Sequence, residues 1–449
     1  MKRYDRYSKY EDRWITSLPS HWGYKRLKEV LKERKEKNSP VKTHNILSLT
    51  NTRGVIPYSE KGNVGNKAKE SLEGYMLAYP NDIVINSMNI IIGSVGLSKY
   101  FGAVSPVYYM LYTRNNDNIR YFNYVFQNKP FQESLRGLGN GILEIRMRIP
   151  MYKLNNVCIP VPPRSEQDQI VRYLDWQVSK INKLIAAKKK QIAELREVEQ
   201  SLIYHYVTRG VKENIKFKHS GINWVDEIPD DWRILFLSQV SEEQCIKNKG
   251  MLENNLLSLS YGRIIPKDIN TTEGLLPTSF EGYQIVYPGN IILRLTDLQN
   301  DHKSLRTGLV KEKGIITSAY TCLKVHDNIL PEFLRLQLHA ADLCKVFYGM
   351  GGGVRQSIGY NDIRRMLIFV PSIKEQEQII SVINKKCDPI QKCCESINSE
   401  IATLQELKTR LISDVVTGQI DVRDIVIPEY EYVEEEPNDE PDDTLIGDN

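Results

Sequence analysis

Two hydropathy regimes alternate along the chain, and the pair of them occurs twice. In the first regime, short apolar stretches rich in Ile, Val, Leu and Tyr are punctuated by Gly, Pro and Asn. AYPNDIVINS (78–87) and IVYPGNIILRLT (285–296) each read as a turn feeding a β-strand. The second regime begins at a proline boundary, after Pro162-Pro163 and again after Pro371. About 43 residues then run to Thr208 without Pro or Gly, and the second such stretch is broken only by Pro389. Ile181, Ile185, Lys188, Ile192, Leu195, Glu199, Leu202 and Tyr206 recur there at alternating spacings of four and three. Ile390, Cys394, Ile397, Ile401, Leu404, Lys408, Leu411 and Val415 do so in the same phase. Such spacing predicts two long helices with coiled-coil seams, each spanning roughly 65 Å at 1.5 Å per residue. Packing the two stripes against each other is the simplest way to bury both.

The repetition extends to the residues themselves. Slid by about 210 positions, LPSHW (18–22) meets IPDDW (228–232), and NILSL (45–49) meets NLLSL (255–259). SLEGYMLAYPNDIV (71–84) meets SFEGYQIVYPGNII (279–292), and GLGNGI (137–142) meets GMGGGV (349–354). IPVPPRSEQDQIV (159–171) meets IFVPSIKEQEQII (368–380). Each repeat is long enough to bury its own core, so this is a tandem of two modules and not a solenoid. The expected fold is α+β: two tandem strand-rich domains, each followed by a long helix, with the helices pairing as an antiparallel coiled coil about a pseudo-two-fold axis. The boundaries predicted are 1–160 for the first domain, 161–212 for the central helix, 213–369 for the second domain, 370–418 for the distal helix and 419–449 for a tail.

Charge refines this picture. The net charge of +4 hides twelve Asp or Glu and one Arg from Asp421 onward, a tail of −11 that leaves +15 on residues 1–420. A basic body suits a polyanion such as nucleic acid. The tail has the composition of a disordered segment, read either as a solubilising end or as a DNA mimic. Seven cysteines form no CxxC pair and match no positions between repeats, which speaks for reduced thiols over zinc or disulfides. No apolar run approaches the roughly 18 residues of a membrane span, and the start, MKRYDRYSKYEDRW, does not resemble a secretory signal, so a cytoplasmic protein is expected.

Catalytic signatures are missing. There is no Asp/Asn-Pro-Pro-Tyr/Phe motif, no GxxxxGK[ST] loop and no HExxH. Glu33-Arg34-Lys35 matches a Glu-x-Lys nuclease fragment but lies in a charge-rich run that reads as a solvated face. The glycine clusters at 137–141 and 349–353 read either as turns requiring positive φ or as loops that approach DNA closely.

The duplicated order of LPSHWGYKRL and IPDDWRILFL, YPNDIV and YPGNII, and the two helix entries resembles the specificity subunits of type I restriction-modification systems, over nearly the whole chain. That resemblance implies two target-recognition domains, each reading half of a split, asymmetric duplex site, spaced by the helices. It also implies docking of two methyltransferase subunits and of restriction and motor subunits. S-adenosylmethionine, ATP and Mg would then sit on those partners, with no cofactor, metal or catalytic residue on this chain. The acidic tail departs from the family pattern. Base reading requires Arg toward guanine and Asn or Gln toward adenine, in loops that differ between modules. The candidates are Arg53, Asn86, Asn89, Arg146 and Arg148 in the first module and Arg263, Arg294, Arg355 and Gln356 in the second, each also eligible as a phosphate contact. The rival readings are a coiled-coil scaffold without nucleic-acid function and a duplicated enzyme with an unfamiliar site.

Overall fold

The computed structural model describes residues 2–50, 53–61, 71–139, 148–260, 262–269, 279–296, 298, 305–350 and 357–435. The described chain forms two compact units, one from residues up to 190 together with 398–435, the other from 191–397. Each unit therefore holds one strand-rich module and a half of each long helix. The central helix is Arg164–Arg209 and the distal helix Ile373–Val416, which continues through Pro389.

The modules repeat one another sheet by sheet. In the first, strands Leu31–Arg34, Tyr108–Thr113, Ile83–Asn86 and Val95–Leu97 form an antiparallel sheet in that spatial order. In the second, Ser241–Glu243, Thr321–Val325, Ile291–Leu293 and Thr307–Leu309 do the same. The aliphatic, mostly β-branched residues that follow Pro-Asn-Asp and Pro-Gly-Asn supply its central strands: Ile83, Val84, Ile85, Ile291, Ile292 and Leu293 are all fully buried. Hairpins Leu47–Thr50 with Gly54–Pro57 and Leu257–Ser260 with Arg263–Pro266 form a second matched pair. The helix-entry strands Cys158–Val161 and Leu367–Val370 pair antiparallel with Gly23–Arg26 and Arg233–Phe236, the segments just after LPSHW and IPDDW.

The Glu-Gln dipeptide at each helix start joins helix to module. Glu166 accepts hydrogen bonds from Trp22 Nε1 (3.0 Å) and Tyr4 Oη (3.1 Å) and lies 2.6 Å from His21 Nε2. Glu375 accepts from Trp232 Nε1 (3.2 Å) and from Lys212 (2.7 Å). Gln167 receives the Asn118 amide (2.7 Å) and donates to Pro162 O, and Gln376 receives the Leu330 amide (2.7 Å) and donates to Pro371 O. Glycine completes each joint. Gly418, just past the distal helix at φ +67, has a position where a Cβ would collide with the Pro19 ring, and Gly210, past the central helix at φ +74, lies against Trp232 and Glu375.

The helix seams follow the predicted stripe in part. In the first unit Ile181, Ile185, Ile401, Leu411 and Val415 are buried. The polar residues in the stripe find partners across the pair: Lys188 with Glu400, and Lys408 with Asn182 Oδ1 at 3.4 Å. In the second unit Glu199 accepts from Gln391 (2.6 Å). Residue numbers rise on one helix as they fall on the other, so the helices run antiparallel. Toward the end of the central helix the most buried residues shift from the stripe positions Leu202 and Tyr206 to Ile203 and Val207, which enter a core shared by the module's Trp232, Phe333 and Phe369 and the distal helix's Ile379 and Ile383.

The tail differs from its composition. Residues 419–435 pack on the first unit: Val422 is buried, Asp421 N donates to Lys2 O (2.9 Å), and Gln169 donates to the carbonyls of Val422 and Ile425. Charge density predicts disorder, but these backbone groups are anchored by the Lys2 carbonyl and by the Gln169 side chain of the central helix. Residues 436–449 lie outside the described residues.

Candidate nucleic-acid interface

Strand Ile83–Asn86 ends in a tight turn. The Asn86 amide donates to Ser94 O (3.0 Å), its Oδ1 accepts from Met88 N (3.1 Å), and Asn89 O accepts from Ile92 N and Ser94 N. Ile149 N donates to Ser87 O (2.9 Å), which brings exposed Arg148 beside this turn. Asn86, Asn89 and Arg148 are thus gathered at one end of the central sheet.

The second module builds the same place with other side chains. Ile358 N donates to Leu295 O (3.0 Å), the counterpart of the Ile149–Ser87 bond, so Arg294 stands where Asn86 stands. Arg146, Arg355 and Gln356 lie outside the described residues, as do parts of both glycine clusters. One structural position therefore carries an amide in one module and a guanidinium in the other, the two groups suited to adenine and guanine edges.

A residue that the sequence reading passed over holds the second turn. Arg306, fully buried, donates through Nη1 to Arg294 O (3.1 Å) and Thr296 O (2.8 Å) and through Nε to Tyr348 Oη (3.1 Å), while its amide donates to Asp342 (3.0 Å). The charge stays buried because its donors are used on carbonyls and a ring that fix the backbone carrying Arg294. In the sequence Arg306 is one cation in a polar loop, with no signal of burial. The first module has Ser94 at this point.

The remaining two candidates are engaged elsewhere. Arg53, in the turn between Leu47–Thr50 and Gly54–Pro57, pairs with Glu60 (2.6 Å). Arg263 bonds Gln391 (3.0 Å) and faces Glu395 (3.8 Å) on the distal helix. Neither joins the Asn86 or Arg294 turn. The Glu33–Lys35 match is an ion pair of 3.1 Å along an edge strand, with no other acid of a nuclease set bonded to it among the described contacts. Among the described residues no group of His, Cys, Asp and Glu is arranged to hold a metal, and no helix is long and apolar enough to cross a membrane.

Comparison with known proteins agrees with this architecture. Residues 19–194 match the family model of the type I restriction modification DNA specificity domain. The type I restriction enzyme MjaVIII specificity subunit of Methanocaldococcus jannaschii is 24% identical over 91% of this chain and 95% of its own. A putative type I restriction enzyme MjaX specificity subunit of the same organism is 22% identical over 76% and 73%. A solved structure concerned with complex assembly and conformational transition of the type I R-M system shares the fold, with TM-score 0.60 at 12% identity over 90% of this chain and 99% of that one. With a duplicated module and a helix pair joined to it by matching Glu-Gln motifs, the chain is similar over most of its length to type I restriction enzyme specificity subunits, and residues 19–194 match the type I DNA specificity domain.

Proposed function

We propose that this subunit reads a bipartite, asymmetric duplex site, one half with each module, and directs adenine methylation and cleavage by partner subunits. The observation that carries the reading is the shared scaffold with exchanged side chains, Asn86 against Arg294, at the end of the same strand. Equal scaffolds present their turns to equivalent grooves; unequal side chains select different bases. The basic body supplies phosphate contacts that set orientation, and the helix pair sets the gap between the halves, as half-site spacing follows geometry in dimeric readers. Two methyltransferase subunits would bind S-adenosylmethionine and flip the target adenines, with restriction and motor subunits bringing ATP and Mg, all in the cytoplasm.

Co-expression with the neighbouring methyltransferase gene, followed by single-molecule mapping of N6-methyladenine in host DNA, tests this. A split, asymmetric motif that depends on this chain is expected. A soluble complex that writes no motif would favour the coiled-coil scaffold reading.

A further inference from the structure

The two units share their four-stranded sheets, hairpins and helix entries but differ along one flank of the helix pair. In the second unit Gln391 donates to Glu199 and accepts from Arg263 Nη2 (3.0 Å), so the hairpin Leu257–Pro266 is hooked onto the helices. Counted from the helix entries, where Glu166 matches Glu375, the counterparts of Gln391 and Glu199 are Asn182 and Lys408, which also touch across the pair (3.4 Å). Among the described residues the first module shows no such hook. Its hairpin register pairs Thr50 with Gly54, whereas Ser260 pairs with Arg263, so a glycine occupies the hook position.

The acidic tail fills the vacancy. Asn182 Nδ2 donates to Val433 O (3.1 Å), and Lys408, whose side chain is 13% exposed, pairs with Glu435 (2.8 Å). Ser179 Oγ donates to Glu431 O (2.9 Å) and accepts from Val433 N (2.8 Å), and Lys183 faces Glu431 (3.5 Å). The same segment reaches the module through Glu434, paired with Lys99. Lys99 lies past the Leu97 end of the hairpin in which Leu97 pairs with Ile83, the end remote from Asn86. The described tail therefore does not cover the turn proposed to meet bases.

We infer that residues 426–435 are a strap that fixes the first module to the helix pair, in the place that Arg263 holds for the second. The tail is a positioning element: it holds the first half-site reader at its distance along the rod, a role that rests on the bipartite reading above. Its ion pairs at Lys99 and Lys183 are exposed and screened by salt, while its carbonyl contacts to Ser179 and Asn182 are not.

Amide hydrogen exchange on the full chain and on a chain ending at Ile425 tests the strap without DNA. Protection of residues 95–104 and 176–186 should fall about tenfold in the shortened chain, with 305–316 and 385–395 unchanged. Arg263→Ala should give the reverse pattern. The variant Glu431→Gln/Glu434→Gln/Glu435→Gln should loosen the same first-unit segments at low salt, and added salt should reproduce that loosening in the full chain only. Unchanged exchange in the shortened chain, or equal loosening of both units, would overturn the inference. So would unchanged exchange with tighter binding to noncognate duplex, which would make the tail a DNA mimic. In the methylation assay, loss of the strap should admit gaps one base pair longer or shorter with both half-sequences kept. Loosened exchange with no split motif in the parent chain would instead leave the strap standing and refute the bipartite reading.

Discussion

Removing the carboxylate at each helix entry should unfold the two units separately and by different amounts. In Glu375→Ala the buried Trp232 indole N–H loses its acceptor at 3.2 Å. A hydrogen bond to a charged group contributes about 1.5–3 kcal/mol, and a stranded buried donor costs within that range. Lys212 also loses an ion pair, but it is 42% exposed and keeps Asp231, so that loss adds roughly 0.5 kcal/mol. The total is about 2–4 kcal/mol. Glu166→Ala strands two buried donors, Tyr4 Oη and Trp22 Nε1, and the half-exposed His21, so about 3–5 kcal/mol is expected. Burial, reinforced by Glu166, raises the Tyr4 hydroxyl far above its ordinary range, so it remains a donor at any working pH. Urea titration followed by exchange in each unit reads the two losses independently. Glu→Gln keeps an acceptor for the indole and should recover roughly half of each. Losses below about 0.5 kcal/mol, or Gln variants as weak as the Ala variants, would refute the joint.

Two further outcomes concern the second module and the reading turns. His339 is buried in helix Pro331–Leu343, and burial, helped by nearby Arg335, lowers its pKa to about 4. The folded form thus favours neutral imidazole: its stability is intact above about 6.5 and declines by about 3 kcal/mol as pH falls toward 4. His339→Asn should flatten that slope in a urea-midpoint series, and an unchanged slope would assign it to other groups. Arg294→Ala should relax one base pair of the second half-site by about 1–3 kcal/mol, and Asn86→Ala one of the first, read as degenerate positions in the methylation motif. Degeneracy in the wrong half would break the assignment of modules to half-sites.

Much of this architecture is legible in the sequence because its signals are periodic or repeated. The long helices carry seams in matching phase, and the central strands follow matching Pro-Asn-Asp and Pro-Gly-Asn turns. The chemistry of the turns is less visible. Asn86 and Arg294 could be nominated by residue type, but their equivalence rests on the Ile149–Ser87 and Ile358–Leu295 bonds, which link residues far apart in the chain. Arg263 was nominated on the same grounds as Arg294, yet a hairpin one turn residue shorter than its counterpart sends it to the helix. Arg306 goes unmarked in the sequence, and the tail reads there as a disordered segment, for a common reason. Charge in a sequence predicts solvent, whereas a carbonyl cluster or a row of Gln, Ser and Asn on a helix face can hold a charged segment in place, and such clusters are assembled only by folding.

On the bipartite reading proposed above, the polar residues of the seam bear on the gap between the half-sites. Lys188 with Glu400, Asn182 with Lys408 and Glu199 with Gln391 interrupt an otherwise apolar stripe. Replacing such pairs with apolar residues is often neutral or stabilising by about 1–4 kcal/mol, so stability does not explain them. Register does. A slip of one heptad would set Lys188 against Cys393 or Leu407, losing the ion pair with Glu400 that an all-apolar seam would not miss. That slip shifts the helices by about 10 Å, or about three base pairs at 3.4 Å each. A ruler that tolerated it would admit a different site. The variant Lys188→Leu/Glu199→Leu/Lys408→Leu should therefore melt at the same or a higher temperature while writing methylation at more than one gap length. A single unchanged gap in a well-folded variant would show that the joints at Glu166 and Glu375, and not the seam, fix the register.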